Sequence, residues 1–271
     1  MSMSTTEIKQ TFDEQGFVVI ENLIESELIA DAIKVFNDVE TYFSNNSYDP
    51  FTDFLMEHRT DQGALYDLYF RHPEYQKLTT HPKLLNGLQS IIGPNIFLYE
   101  SALVYKPKGK KNEVPWHQDF MNRTDEPEKL IVWIALDDVT VANGALKFIP
   151  GSHKNGFLPF HTVKGETHHT RLNLDGIDLD NFKYGEMKKG DALIFHHLLL
   201  HSSDRISSEK PRRAYRFSVQ NFEQIFSPRC VPVVLSGGGT NIYSKATKKS
   251  SSKPKWKKAI NKLGQKLATF S

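Results

Sequence analysis

Residues 95–107 read NIFLYESALVYKP, directly after Gly93-Pro94, and the texture of the chain changes there. The stretch is rich in β-branched and aromatic residues and is bounded by turn formers, which is how a strand reads. KLIVWIALDDVT (129–140), GALKFIPGS (144–152), DALIFHHLLLHSS (191–203) and RAYRFSVQNFE (213–223) have the same character. Upstream the pattern is mostly helical. Residues 7–15 predict a short helix and FVVI (17–20) a strand. Ser26 is placed to cap a helix carrying Leu28, Ile29, Ala32, Ile33, Phe36, Val39 and Phe43 at helical spacing. SNNSYDPFT (44–52) reads as a loop, and 53–92 as further helical pieces broken at His72-Pro73 and His81-Pro82. Helices first and many short strands later predict a mainly β fold with flanking helices. The architectures that satisfy this are an antiparallel barrel or a double-sheet jelly roll with helices packed on one side.

The 271 residues suffice for one large domain. With 39% hydrophobic and 24% charged residues the balance is globular, which excludes wholesale disorder. The single cysteine, Cys230, excludes an internal disulfide framework and a cysteine-rich zinc site, and fits a reducing, cytoplasmic setting. MSMSTTEIKQ lacks the pattern of a secretory signal, and no run of 18 apolar residues predicts a membrane span. The net charge of +2 is uneven. Residues 240–271 hold nine lysines and no acid, so setting those nine aside leaves residues 1–239 at −7. An acidic body does not suggest nucleic-acid binding. Ser236-Gly237-Gly238-Gly239 is the expected end of the domain (1–239), and 240–271 the expected basic tail. Trp256, Ile260, Leu263 and Leu267 fall on one stripe of that tail, so it reads either as a frayed tail or as an amphipathic helix that touches an anionic surface.

VPWHQDF (114–120) raises the chemical question. In a strand, His117 and Asp119 share a face and Gln118 takes the other. An imidazole and a carboxylate side by side in apolar company suggest a metal. His58, His72, His81, His153, His161, His168 and His169 sit in polar, loop-like contexts and read as surface groups. In 191–203, alternation puts His197, Leu199, His201 and Ser203 on one face and His196 on the other. His201 at the strand end completes a two-histidine, one-carboxylate set with His117 and Asp119. Such a set leaves positions open on an octahedral ion and suits Fe(II), although a zinc hydrolase uses similar ligands. Arg212 follows eleven residues later. Its guanidinium is suited to the far carboxylate of 2-oxoglutarate, with a hydroxyl from Ser203, while Arg213 and Arg216 compete for that role.

WHQDF, the segment ALDDVTVANGALKFIPGSHK (135–154), MKKGDALIFHHLLLHSSDRISSEKPRRA (187–214) and the opening FDEQGFVVIENLIESELI resemble phytanoyl-CoA dioxygenase-like (PhyH-like) Fe(II)/2-oxoglutarate oxygenases. The resemblance covers roughly residues 8–223. It implies a double-stranded β-helix, the cupin-like jelly roll, around Fe(II). His117, Asp119 and His201 are then the metal ligands, and Arg212, Ser203 and Trp133 contact 2-oxoglutarate. The co-substrates implied are 2-oxoglutarate and O₂. With Asp119 in place, hydroxylation is implied rather than halogenation.

Glu100, Phe120 and Arg123 are the candidate substrate residues, and 155–186 is long enough to be a lid. Three functions fit: a hydroxylase of a small molecule, an oxygenase acting on a protein- or lipid-linked substrate guided by the tail, and a non-catalytic jelly-roll binding protein.

Overall fold

The computed structural model describes residues 3–45, 58–59, 64–66, 68–106, 113–164, 170–210, 212–223 and 233–237. Cys230, His168, His169 and the basic tail lie outside them, as does most of the expected loop 44–52. The described elements are, in order, α1 (Thr5–Gln15), β1 (Phe17–Ile20), α2 (Ser26–Asn45), β2 (His58–Arg59), β3 (Ala64–Tyr66), α3 (Leu68–Arg71), α4 (Pro73–Thr79), α5 (Pro82–Ile92), β4 (Ile96–Tyr105), β5 (Val114–His117), β6 (Leu130–Ala135), β7 (Leu146–Phe148), β8 (Phe160–Thr162), β9 (Thr170–Leu172), β10 (Lys183–Gly185), β11 (Ala192–His196), β12 (His201–Ser203), β13 (Arg213–Asn221) and β14 (Val233–Ser236).

Every strand pair is antiparallel. The large sheet runs β1-β11-β6-β13-β4-β3-β2, with β14 also on β4, and a smaller one runs β10-β7-β12-β5. This is the expected jelly roll. Strand β6, LIVWIA, is buried at every position because both of its faces are covered. Leu130, Val132 and Ile134 join one core with the helices, while Ile131, Trp133 and Ala135 join a second with Leu146, Phe148 and Phe195. β13 repeats the alternation, with Tyr215, Phe217 and Val219 toward the helices and Ala214 toward the second sheet. A period of two therefore sorts one unbroken apolar run into two cores. Truncating a buried branched residue such as Ile134 to alanine is expected to cost about 2–5 kcal/mol. The helical layer is fixed by polar bonds as well. The Tyr75 hydroxyl donates to the Ala32 carbonyl at 3.0 Å, and the Thr79 and Tyr215 hydroxyls lie 3.0 Å apart.

Three expectations need correction. Residues 53–92 are not helical throughout, because β2 and β3 extend the large sheet along β4. Residues 191–203 are not one strand. β11 ends at His196, the chain turns, and β12 begins in the other sheet at His201. The buried amide of Gln118 fixes that crossing: its Nε2 donates to the carbonyls of Leu198 and Gly156, both at 2.8 Å, and its Oε1 accepts from the Leu158 N–H. Finally, the described residues of 155–186 contribute no side chain to the lining of the cavity described below. It forms the β8–β9 hairpin and β10, and packs Leu158, Leu172, Ile177 and Phe182 against Trp116, Ile149 and Leu200.

Candidate active site

Strand pairing alone brings the two histidines together. β5 and β12 are neighbours in the small sheet, and His117 and His201 are opposite each other in their register. The rings lie 4.0 Å apart between centroids. Asp119 arrives differently from the expectation of a shared strand face. β5 ends at His117, and Asp119 sits in the turn beyond it, where its N–H donates to the His197 carbonyl at 2.8 Å. Phe120 follows in the left-handed region with φ of 57°.

The protonation of both rings follows from their partners. His117 Nδ1 is 2.9 Å from the Pro115 carbonyl, and His201 Nδ1 is 2.9 Å from the Leu199 carbonyl. A carbonyl only accepts, so each Nδ1 carries the proton and each Nε2 keeps a lone pair. Those Nε2 atoms face Asp119, at 3.9 Å from Oδ1 for His117 and 4.0 Å from Oδ2 for His201. The three ligand atoms lie within 4.8 Å of one another. Burial, then the neighbouring His201, holds His117 down to about 4, and burial also lowers His201. Burial by itself raises the Asp119 carboxyl, but the Arg216 guanidinium and the two imidazoles bring it down to about 2. At neutral pH the site therefore offers two neutral imidazole nitrogens and one carboxylate. That donor set, converging without protons on the converging atoms, fits a divalent iron.

The triad opens on a cavity of about 360 Å³ whose lining includes Tyr66, Glu100, Val104, Ser203, Arg212 and Arg216. Trp133 and Phe120 also line it. Arg212 is 5% exposed, and its Nε and Nη1 have no hydrogen-bond partner. The guanidinium lies over the Trp133 ring at 5.0 Å, and the Trp133 Nε1 is unpartnered too. Burial with no compensating anion lowers Arg212 to about 10. Lys106 is buried nearby, held by the Asp204 carbonyl at 2.9 Å, and pushed down to about 7 by burial and then by Arg212.

The competing arginines both have carboxylate partners. Arg213 points to the helical side, where it makes paired bonds to Asp137 at 2.8 Å. Arg216 lines the cavity but is engaged: Nη1 donates to Glu100 Oε1 at 2.7 Å and Nη2 to Asp119 Oδ2 at 3.3 Å. Glu100 reaches it because the register of β4 on β13 shifts between Ser218 and Val219. The bulge at Tyr99 turns Glu100, Ala102 and Val104 inward, so that Glu100 becomes a diagonal neighbour of Arg216.

Of the expected site residues, His117, Asp119, His201, Ser203, Arg212, Trp133, Glu100 and Phe120 all meet at this cavity. Arg123 does not. It pairs with Glu126, whose carboxylate also accepts from Tyr99 and Lys129. His153, read as a surface group, is half-buried with its ring 5.3 Å from that of His196. Reading the sequence missed Tyr66, since its strand was taken as helical. Arg216 was undervalued as well: its phase with Arg212, which lies one residue before β13, was the available signal.

Residues 12–214 match the sequence model of the family described as "Phytanoyl-CoA dioxygenase (PhyH)". A "Phytanoyl-CoA dioxygenase domain-containing protein 1 homolog" of Caenorhabditis elegans is 28% identical, with 79% of this chain and 90% of that protein covered. The human "Phytanoyl-CoA dioxygenase, peroxisomal" is 28% identical over 78% of this chain and 66% of its own length. Among solved structures, the apo form of ThoJ, a "non-heme monooxygenase", superposes with a TM-score of 0.70 at 19% identity, covering 86% of this chain and 84% of that one. Among the described residues no helix is long and apolar enough to cross a membrane.

Proposed function

The chain belongs to the phytanoyl-CoA dioxygenase family of non-haem iron, 2-oxoglutarate-dependent oxygenases, and from that premise we propose that it hydroxylates an unactivated C–H bond of a small molecule. Iron and 2-oxoglutarate are the cofactors of the class. His117 Nε2, His201 Nε2 and the Asp119 carboxylate are the groups that would hold the metal. When bound, iron would activate O₂, which oxidises 2-oxoglutarate to succinate and CO₂ with one oxygen atom and supplies the other to the substrate.

The residues of the chain do the rest. Arg212, whose buried Nε and Nη1 have no partner, would give the far carboxylate of 2-oxoglutarate a charge-assisted hydrogen bond. Ser203, which lines the same cavity, would add a hydroxyl. The Trp133 ring holds the guanidinium plane in place. Phe120, Ala102 and Val104 add apolar wall to the chamber beside the polar groups. The Nδ1–H bonds of His117 and His201 to backbone carbonyls keep both rings in the ligating orientation.

One observation carries this reading: a buried arginine without an anion, in the same cavity as the triad. A buried unpaired charge costs stability, so its retention points to a ligand that satisfies it. The catalytic unit is proposed to lie within residues 1–239, in a reducing cytoplasmic setting, with 240–271 accessory to it. The test is anaerobic titration of Fe(II) and 2-oxoglutarate, followed by a screen for substrate-dependent succinate release with products identified by mass. A visible charge-transfer band and a product heavier by one oxygen are expected. A folded protein with no Fe(II)-dependent binding of 2-oxoglutarate would instead be a non-catalytic binding protein.

A further inference from the structure

The cavity holds two carboxylates, Glu100 and Asp119, and one guanidinium spans the gap between them. Both side chains line the same chamber, at 19% and 17% exposure. A divalent cation attracts any carboxylate within reach, so a second acid this close to the ligand set competes for the metal. Two anions in one confined site also repel each other, and a cation between them removes that penalty. Arg216 is built for this place. Its planar fork presents two donor nitrogens in fixed directions, one to each acid. It sits half-buried between Trp133 of β6 and Ala102 of β4, its partners in the sheet register, and its guanidinium lies 5.7 Å from the Phe120 ring.

We infer that Arg216 partitions the two carboxylates: it holds Glu100 at the substrate wall, away from the metal, so that Asp119 is the single acid ligand and the remaining positions stay open for 2-oxoglutarate. Arg216 is in this account a positioning residue, acting through Glu100 and Asp119, and not a second contact for the co-substrate. The inference rests on the metal site proposed above. It also bears on specificity. With Arg216 engaged by Glu100 and Asp119, and Arg212 committed to 2-oxoglutarate, neither cavity arginine is left for an anionic substrate head group. A neutral polar group or an amine, which Glu100 can accept from, suits that wall.

The test uses the full chain and Co(II) as an air-stable reporter of the metal site. Wild type, Arg216→Met, Glu100→Gln and the double variant are titrated with Co(II), and then the Co(II) forms with 2-oxoglutarate, following the ligand-field spectrum. Arg216→Met is expected to bind Co(II) at least as tightly as wild type, because a cation has been taken from beside a cation site. Its spectrum should change as Glu100 joins the metal, and its Co(II) form should bind 2-oxoglutarate roughly 10- to 100-fold more weakly. Adding Glu100→Gln should restore most of that affinity and the wild-type spectrum. The inference is overturned if folded Arg216→Met binds 2-oxoglutarate as wild type does. It is equally overturned if the double variant regains nothing, the mark of a purely structural role or of direct co-substrate contact. Should Arg216→Met not fold, Arg216→Lys serves in its place. It keeps one bond to one acid, and Glu100→Gln must then improve its 2-oxoglutarate binding, or the inference fails. Failure of the wild type to bind Co(II) would remove the metal site itself, a result distinct from all of these.

Discussion

Arg212 and Arg216 stand four residues apart, on the same face of the chain, in the same cavity, and they live in opposite circumstances. Arg216 has two carboxylates, and their charges hold its guanidinium protonated against the cost of burial. Arg212 has a tryptophan ring and no anion, and burial lowers it to about 10. The difference separates a charge that belongs to the scaffold from a charge that waits for a ligand. The first stabilises the unloaded protein and the second strains it, because an unpaired buried cation recovers its lost hydration only when an anion binds. Arg213, between them, shows what alternation does: it leaves the cavity and pairs with Asp137.

The largest effect tests the premise of that comparison. Asp119→Ala removes a metal ligand and one of Arg216's two anions together. Iron-dependent turnover is expected to vanish, checked by succinate release, and persisting turnover would mean another ligand set. Arg216→Met comes next. It takes the cation from two largely buried acids, and unfolding of the metal-free protein in urea should show a loss of about 2–4 kcal/mol. Arg212→Met should do the reverse. Metal-free and without 2-oxoglutarate, it should unfold at the same or a higher urea concentration than wild type, since it relieves an unsatisfied charge. Yet it should bind 2-oxoglutarate more weakly by about 1.5–3 kcal/mol, the worth of a hydrogen bond to a charged group, with Co(II) binding unchanged. If both arginine variants shift stability in the same direction, the contrast between them is broken.

Much of this was legible in the sequence, and the limits have physical causes. Strand runs and their period fixed the jelly roll, because an all-buried strand such as β6 declares itself by an unbroken apolar run. The triad was legible because HQD and a lone histidine before SSD are rare company for apolar residues. Arg212 was legible by its distance from His201, and Glu100 as the polar interruption of β4. What failed were inferences that needed register. The phase count that placed His197 with His201 assumed one strand, but the chain changes sheets between them. The pairing of Arg216 with Glu100 depends on a bulge that shifts β4 by one residue, and a bulge at Tyr99 carries no glycine to announce it. Arg123 has the right charge near the right loop, and only three dimensions show that Glu126 has claimed it.

His197 gives the smallest effect and a third way of burying an ionisable group. An arginine cannot shed its charge, but a histidine can, and this one does. It is 2% exposed, stacked on His196 at 4.8 Å, and its Nδ1 lies 3.1 Å from the Lys129 nitrogen. Burial, then His196 and Lys129, push it down to about 3. On acidification the unfolded chain takes the proton first, near pH 6.5, while the folded chain resists until about pH 3. The contribution to stability is therefore complete above pH 6.5 and is lost as the pH falls toward 3. The slope cannot exceed about 1.4 kcal/mol per pH unit for one proton. His197→Asn keeps an acceptor for the Lys129 N–H and cannot titrate. It should lower stability at pH 7, yet its stability should fall less steeply between about pH 6.5 and 4, by about 1 kcal/mol per unit. Urea unfolding of both proteins across that range decides it. Parallel curves would mean that the acid sensitivity of the fold lies with other groups, His117 first among them, and not with the buried neutral ring beside the metal loop.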